Sequence, residues 1–131
     1  MKTTNYLEHV NLESRNLDDT IQFIQLALPE FKVRGGGKRG GIRWTHIGTE
    51  ETYLALVEKG SHFTGKPNHI GFAVQDIDSI AERLIGAGYK RSYPREVESF
   101  RIREYFLDAS GQEFEFVQYL SDNDAERNLY E

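Results

Sequence analysis

The sequence predicts an α+β protein made of two tandem βαβββ units. Two observations predict it: the halves match in pattern at a shift of 60 residues (His9 onto His69), and each half reads strand, capped helix, then three strands. A chain of 131 residues with 38% apolar residues can bury one core, so one domain is expected. Within it, repeat 1 spans about residues 5–59, repeat 2 about 65–120, and a polar tail covers 121–131.

The first strand of each repeat is the best marked. Tyr6-Leu-Glu-His-Val-Asn-Leu-Glu-Ser14 alternates in character, and so does Lys66-Pro-Asn-His-Ile-Gly-Phe-Ala-Val74. Each runs into a helix start, with Asn16 and Asp76 at matched positions as caps. Leu17, Ile21, Ile24 and Leu28 then recur at helical spacing, as do Ile77, Ala81 and Leu84, giving each helix one apolar stripe for a sheet. Gly86 and Gly88 end the second helix. Three short strand patterns follow in each half, near 31–35, 42–48 and 52–58, then near 89–93, 100–107 and 112–119. The tail reads as a solvated extension or short helix.

Composition narrows the function. The absence of cysteine excludes disulfides, thiolate nucleophiles and Cys-ligated metals, leaving four histidines with Asp and Glu as the available ligands. A net charge of −5 argues against nucleic acid as a partner. The opening residues lack an apolar signal core and no run is long enough to span a membrane, so a cytoplasmic protein is expected.

Alternation places the chemistry, because a helix covers only one face of each sheet. If Val10 and Leu12 face the helix, then His9, Asn11 and Glu13 face away, and the same parity puts His69 on the helix-free face. In the last strand, Phe114 and Phe116 are the better helix-packing pair, which turns Glu115 toward the histidines. Its counterpart sixty residues earlier is Ala55. His9, His69 and Glu115 are therefore the candidate metal ligands. His46 and His62 have no repeat-matched partner and are read as non-ligands.

Weaker candidates surround this triad. Glu13 is a general base if burial raises its pKa. Asn11, Tyr53, Arg101, Arg103 and Tyr105 share the parity or chemistry of a substrate pocket, as does Trp44. Arg34-Gly-Gly-Gly-Lys-Arg-Gly-Gly-Ile-Arg43 lacks the spacing of a phosphate loop and reads as a flexible hairpin, with an anion gate of Arg34, Lys38, Arg39 and Arg43 as the alternative.

The strand-opening histidines of Leu7-Glu-His-Val-Asn-Leu12 and Asn68-His-Ile-Gly-Phe-Ala-Val74, with Tyr105-Phe-Leu-Asp-Ala-Ser-Gly-Gln-Glu-Phe-Glu-Phe116, resemble the vicinal oxygen chelate superfamily over nearly the whole chain. That superfamily includes glyoxalase I, fosfomycin-resistance thiol transferases, methylmalonyl-CoA epimerase, extradiol dioxygenases and bleomycin-binding proteins. Its Asp-Pro-Asp-Gly turn and following glutamate match Asp108, Gly111 and Glu115, with Ala109 and Ser110 as replacements. The resemblance implies a glyoxalase-like fold, a cupped mixed sheet with helices outside, around one divalent ion (Mn, Fe(II), Zn or Ni), often in a homodimer. Glyoxalase I-like members supply a second glutamate where this chain has Ala55, whereas two histidines and one glutamate are the set of the fosfomycin-modifying and ring-cleaving members. Tyr53 stands where the fosfomycin group has a tryptophan, and Leu120–Ala125 lacks that group's phosphonate-binding arginine. The implied function is a metal-dependent enzyme of the lyase, isomerase, thiol transferase or dioxygenase type acting on a small oxygen-chelating substrate. The alternative is a metal-free module that sequesters a small molecule, as bleomycin-binding proteins do.

Overall fold

The computed structural model describes residues 5–109 and 111–131. Met1–Thr4 and Ser110, on which parts of the localisation and turn readings rest, lie outside the described residues. The elements are β1 (Tyr6–Ser14), α1 (Leu17–Ala27), β2 (Lys32–Arg39), β3 (Ile42–Gly48), β4 (Tyr53–Glu58), a 3-10 turn (Gly60–His62), β5 (His69–Ala73), α2 (Ile77–Gly86), β6 (Arg91–Val97), β7 (Arg101–Leu107), β8 (Glu113–Tyr119) and α3 (Asp124–Arg127). The α+β class and both βαβββ runs match the expectation. Contacts gather the chain into two compact units: an N-terminal unit, His9–Asn68, and a C-terminal unit, in which the residues up to Glu8 join His69–Glu131.

In the N-terminal unit the strands lie in the order β2-β3-β4-β1, with β1 and β4 parallel and the other pairs antiparallel. Register pairs Leu12 with Leu56 and Thr45 with Leu56, so this side faces α1. Leu17 and Ile24 of α1 close with Ile47 and Leu56 into a core flanked by Leu12, Ile21, Phe31 and Leu54. Full burial of each such aliphatic side chain stabilises by about 1.5–3 kcal/mol. Asn16 caps α1 by accepting the Asp19 N–H at 3.1 Å. Gly48 is obligatory: a Cβ there would lie 2.1 Å from the Thr52 carbonyl oxygen.

The C-terminal unit repeats the plan in the order β5-β8-β7-β6, with β5 and β8 parallel. Ile77 and Ala81 of α2 are buried. Phe72, Phe106, Phe114 and Phe116 pack as a ring cluster with centroids 6.2–6.5 Å apart along Phe116's contacts. The helix anchors are repeated residue for residue. Leu17 N–H donates to the Glu58 carboxylate at 2.8 Å, and Ile77 N–H donates to the Gln118 side-chain carbonyl at 2.9 Å. In each unit a side chain near the end of the final strand takes up one of the orphan donors of the helix start.

The glycine-rich segment forms the expected hairpin, but its first strand runs on to Arg39, beyond the expected 31–35. Its residues to Arg39 are paired strand, with Lys38 opposite Arg43 and Arg39 opposite Ile42, and only Gly40 (φ 57°) and Gly41 (φ 80°) form the turn. Two successive positive φ values define the tight hairpin turn that matches strand twist, and glycine meets them without strain. Among the described residues no helix is long and apolar enough to cross a membrane.

Candidate metal centre

Each unit contributes a ladder of side chains to its helix-free face. In the C-terminal unit, His69 pairs with Glu113 and Gly71 with Glu115 across β5 and β8, while Tyr105 pairs with Glu115 across β7 and β8. Gly71 has no side chain, so His69 can lean along the sheet toward Glu115. Its Nε2 lies 3.1 Å from Glu115 Oε1, and its Nδ1 lies 3.8 Å from Glu113 Oε1. Glu115 is only 4% exposed. Burying a carboxylate is costly unless a cation or hydrogen-bond donors accompany it, and an imidazole at this distance is one such companion.

Tyr105 meets His69 edge-on, with ring centroids 6.0 Å apart. Burial, reinforced by the Glu115 charge, pushes its hydroxyl above the usual phenol range, so it keeps its proton at neutral pH. Arg103 donates to Tyr105 Oη at 3.3 Å, to Glu96 at 2.7 Å and to Glu98 at 3.2 Å. Burial disfavours the Arg103 charge, but Tyr105, Glu115, Glu98 and Glu96 around it outweigh that and raise its pKa. Arg101 is bonded to Glu98, with its guanidinium 5.4 Å from the Tyr130 ring centre. These contacts bring Arg103 and Tyr105 together with His69 and Glu115, and engage Arg101 with a carboxylate and a ring.

The N-terminal unit answers with rings. His9, 3% exposed, stacks on its cross-strand partner Tyr53 at 4.7 Å, and Tyr53 stacks on His46, also at 4.7 Å. The Arg34 guanidinium lies 4.0 Å from the Tyr53 ring centre. Trp44 meets His46 edge-on at 5.0 Å. Ala55 sits between His46 and Asn11, its partners on either side.

Two expectations need correction. Glu13 does not have the raised pKa that a base role requires: hydrogen bonds from the Thr64 hydroxyl (2.7 Å) and backbone N–H (2.8 Å) hold its carboxyl below the usual range. The four-cation gate also fails, because Arg43 turns to Asp18 (2.8 Å) and Glu58 (3.9 Å), and Lys38 shares its row on the sheet. His62 ends the 3-10 turn, exposed.

No protein-family model matches the sequence, and no curated protein matches it significantly. Solved structures do match. A variant of Streptomyces coelicolor methylmalonyl-CoA epimerase in complex with 2-nitronate-propionyl-CoA superposes with a TM-score of 0.68 at 20% identity, covering 91% of this chain and 100% of that one. A Streptomyces coelicolor 4-hydroxymandelate synthase mutant matches at 0.68 and 15%, covering 95% of this chain and 54% of that one. A halotolerant catechol dioxygenase matches at 0.67 and 15%, covering 88% and 42%. All three are members of the vicinal oxygen chelate superfamily. The chain has the vicinal oxygen chelate fold.

Within this fold, sequence reasoning missed Glu113 and His46. Glu113 stands one place across from His69 on the same face and holds a hydrogen bond from Ser92 Oγ at 2.6 Å, which fixes its carboxylate. Its parity with Glu115 was the available signal. His46 pairs with Ala55 as Tyr105 pairs with Glu115, so His46 and Tyr105 are equivalents. A fixed shift of 60 sets His46 against Phe106 instead. The β7–β8 pairing starts from Leu107 with Glu113, one residue wider than Gly48 with Tyr53, and that extra residue hides the match.

Proposed function

We propose that the protein is a divalent-metal-dependent enzyme acting on a small substrate with two neighbouring oxygens, with His9, His69 and Glu115 as the metal ligands. The observation that carries this reading is the buried Glu115 carboxylate with His69 Nε2 3.1 Å away. His9 is the repeat-matched second imidazole, and the three residues offer one ligand atom each. Two imidazoles and one carboxylate suit manganese, iron(II), zinc or nickel and leave positions open for a chelating substrate. Bound there, a divalent ion supplies Lewis acidity for substrate oxygens.

The chain's own groups have definable work. Glu113, 3.8 Å from His69 Nδ1, biases the imidazole orientation from the side away from Glu115. Tyr105 holds its proton at Oη and donates a hydrogen bond to a substrate oxygen on which negative charge grows. Arg103 adds a permanent positive charge behind that hydroxyl. Tyr53 keeps His9 in one ring orientation by stacking. The three structural neighbours act on or bind small molecules, a CoA ester analogue among them, which supports a small-molecule substrate.

Ala55 favours a second reading. A methyl group where the repeat has a ligand suits a metal-free module that sequesters a small molecule. Metal content of untagged protein, measured by mass spectrometry after exposure to each ion, separates the two. Near-stoichiometric metal, lost in His69→Ala and Glu115→Ala, supports the enzyme; a parent that retains no metal leaves the binding module. The resemblance also implies a homodimer, which sedimentation at falling concentration tests.

A further inference from the structure

The metal reading gives no role to the cavity on the helix-free face of the N-terminal unit. Its volume is about 220 Å³, and Asn11, Arg39, Ile42, Trp44, His46 and Ala55 are among its walls. Its origin lies in one row of the sheet. Where the C-terminal unit sets the Tyr105 phenol beside the Glu115 carboxylate, the N-terminal unit sets His46 beside a methyl group. A cavity of about 150 Å³ accommodates benzene. This one therefore has room for a six-membered ring with one or two small substituents.

The walls specify the substituents. Asn11 Oδ1 is buried with no hydrogen-bond partner among the described residues, and such an acceptor gains from a ligand O–H or N–H. The Arg39 guanidinium lies 4.8 Å from the Trp44 ring centre, on the sheet row it shares with Ile42 of the cavity wall. It supplies a positive charge at the rim. The remaining walls are mostly aliphatic and aromatic, which suits a planar ring.

We infer that this cavity is a subsite for a small planar aromatic acid carrying a hydroxyl or amine donor, with the acid toward Arg39, the donor on Asn11 and the ring against Trp44. The inference rests on the enzyme reading only in treating such a ligand as a substrate, because the cavity itself contains no proposed metal ligand. Trp44 is the single tryptophan of the chain, so its fluorescence reports occupancy of this cavity directly.

The test is a fluorescence titration of chelator-treated protein with 3-hydroxybenzoate, benzoate and 3-hydroxybenzamide. The subsite predicts saturable quenching by 3-hydroxybenzoate, and weaker binding of the other two, by about tenfold each, because each lacks one of the two polar anchors. Asn11→Ala should bring 3-hydroxybenzoate down to the level of benzoate. Arg39→Gln, on an exposed strand where the fold is insensitive to it, should bring 3-hydroxybenzoate down to the level of the amide. Ala55→Leu, checked for folding by circular dichroism, should abolish quenching by filling the cavity. No saturable change in the parent, or a titration unaltered in both Arg39→Gln and Ala55→Leu, overturns the subsite. Because metal is absent throughout, that failure is separate from any failure of the metal content experiment.

Discussion

The two units share one backbone plan but differ row by row on the face away from their helices. In the C-terminal unit the rows read Leu107–Glu113–His69 and Tyr105–Glu115–Gly71, and in the N-terminal unit Gly48–Tyr53–His9 and His46–Ala55–Asn11. Where one half has carboxylates, the other has a ring and a methyl group. The difference shows how a duplicated fold divides its labour: shared backbone pairing fixes where side chains stand, and substitution at matched places sends carboxylates to one half and a ring-lined cavity to the other. The helix anchors, Glu58 and Gln118, stayed alike because both must accept the first helical N–H.

The largest effect expected concerns this acid asymmetry. Glu115→Ala should abolish metal retention, while Ala55→Glu should preserve or strengthen it; equal loss in both would show that the halves do not differ as ligand donors. Stability should differ next. Leu56, 1% exposed in the N-terminal core, should cost about 3 kcal/mol on truncation to alanine by urea denaturation.

The C-terminal unit relies in part on a charged cluster instead. Glu104 is fully buried and accepts from Arg91 at 2.7 Å and from Arg95 at 2.8 Å, and Arg95 also reaches Asp78 of α2 at 2.7 Å. Burial opposes ionisation of Glu104, but the hydrogen bonds from the two arginines outweigh it and hold its carboxyl below the usual range. With both arginines partly exposed, Glu104→Gln should cost about 2 kcal/mol. A folded pKa below the unfolded one, about 4.3, means that this stabilisation is complete above that pH and lost as pH falls through the folded value. Denaturation measured from pH 6 to 3 should therefore show a shallower acid slope in the Gln variant than in the parent.

Smaller effects sharpen the picture. Glu113→Gln should weaken metal binding by about tenfold without removing it, as loss of a group that orients a ligand does; calorimetry distinguishes this from the full loss expected at Glu115. Asn16→Ala should cost about 1 kcal/mol through the lost α1 cap, a loss visible as a lower urea midpoint.

Much of this was legible in the sequence for a physical reason. Strand parity and helical spacing are short-range rules, so Asn16, Asp76, Leu12, Leu17 and Ile77 could be placed from their neighbours alone. What escaped depends on pairing between strands. His46 was hidden by a one-residue difference in hairpin width, and the environment of Glu13 depends on Thr64, 51 residues away in sequence. The hairpin was legible, but its strand was taken too short, because the glycines that suggest a loop pair along β3, where Gly36 leaves 3.0 Å between its absent Cβ and the Trp44 carbonyl oxygen. Of the apolar wall made by Ile42, Trp44 and Ala55, the sequence marked only Trp44, since the wall depends on the pairing of β3 with β4.

The most direct test of the account is calorimetric titration of Mn(II) into metal-free parent, His9→Ala and Glu115→Ala proteins. If His9, His69 and Glu115 are the ligands as proposed, the parent should hold one ion tightly per chain, and both variants should lose it. Undiminished binding in His9→Ala would contradict that assignment.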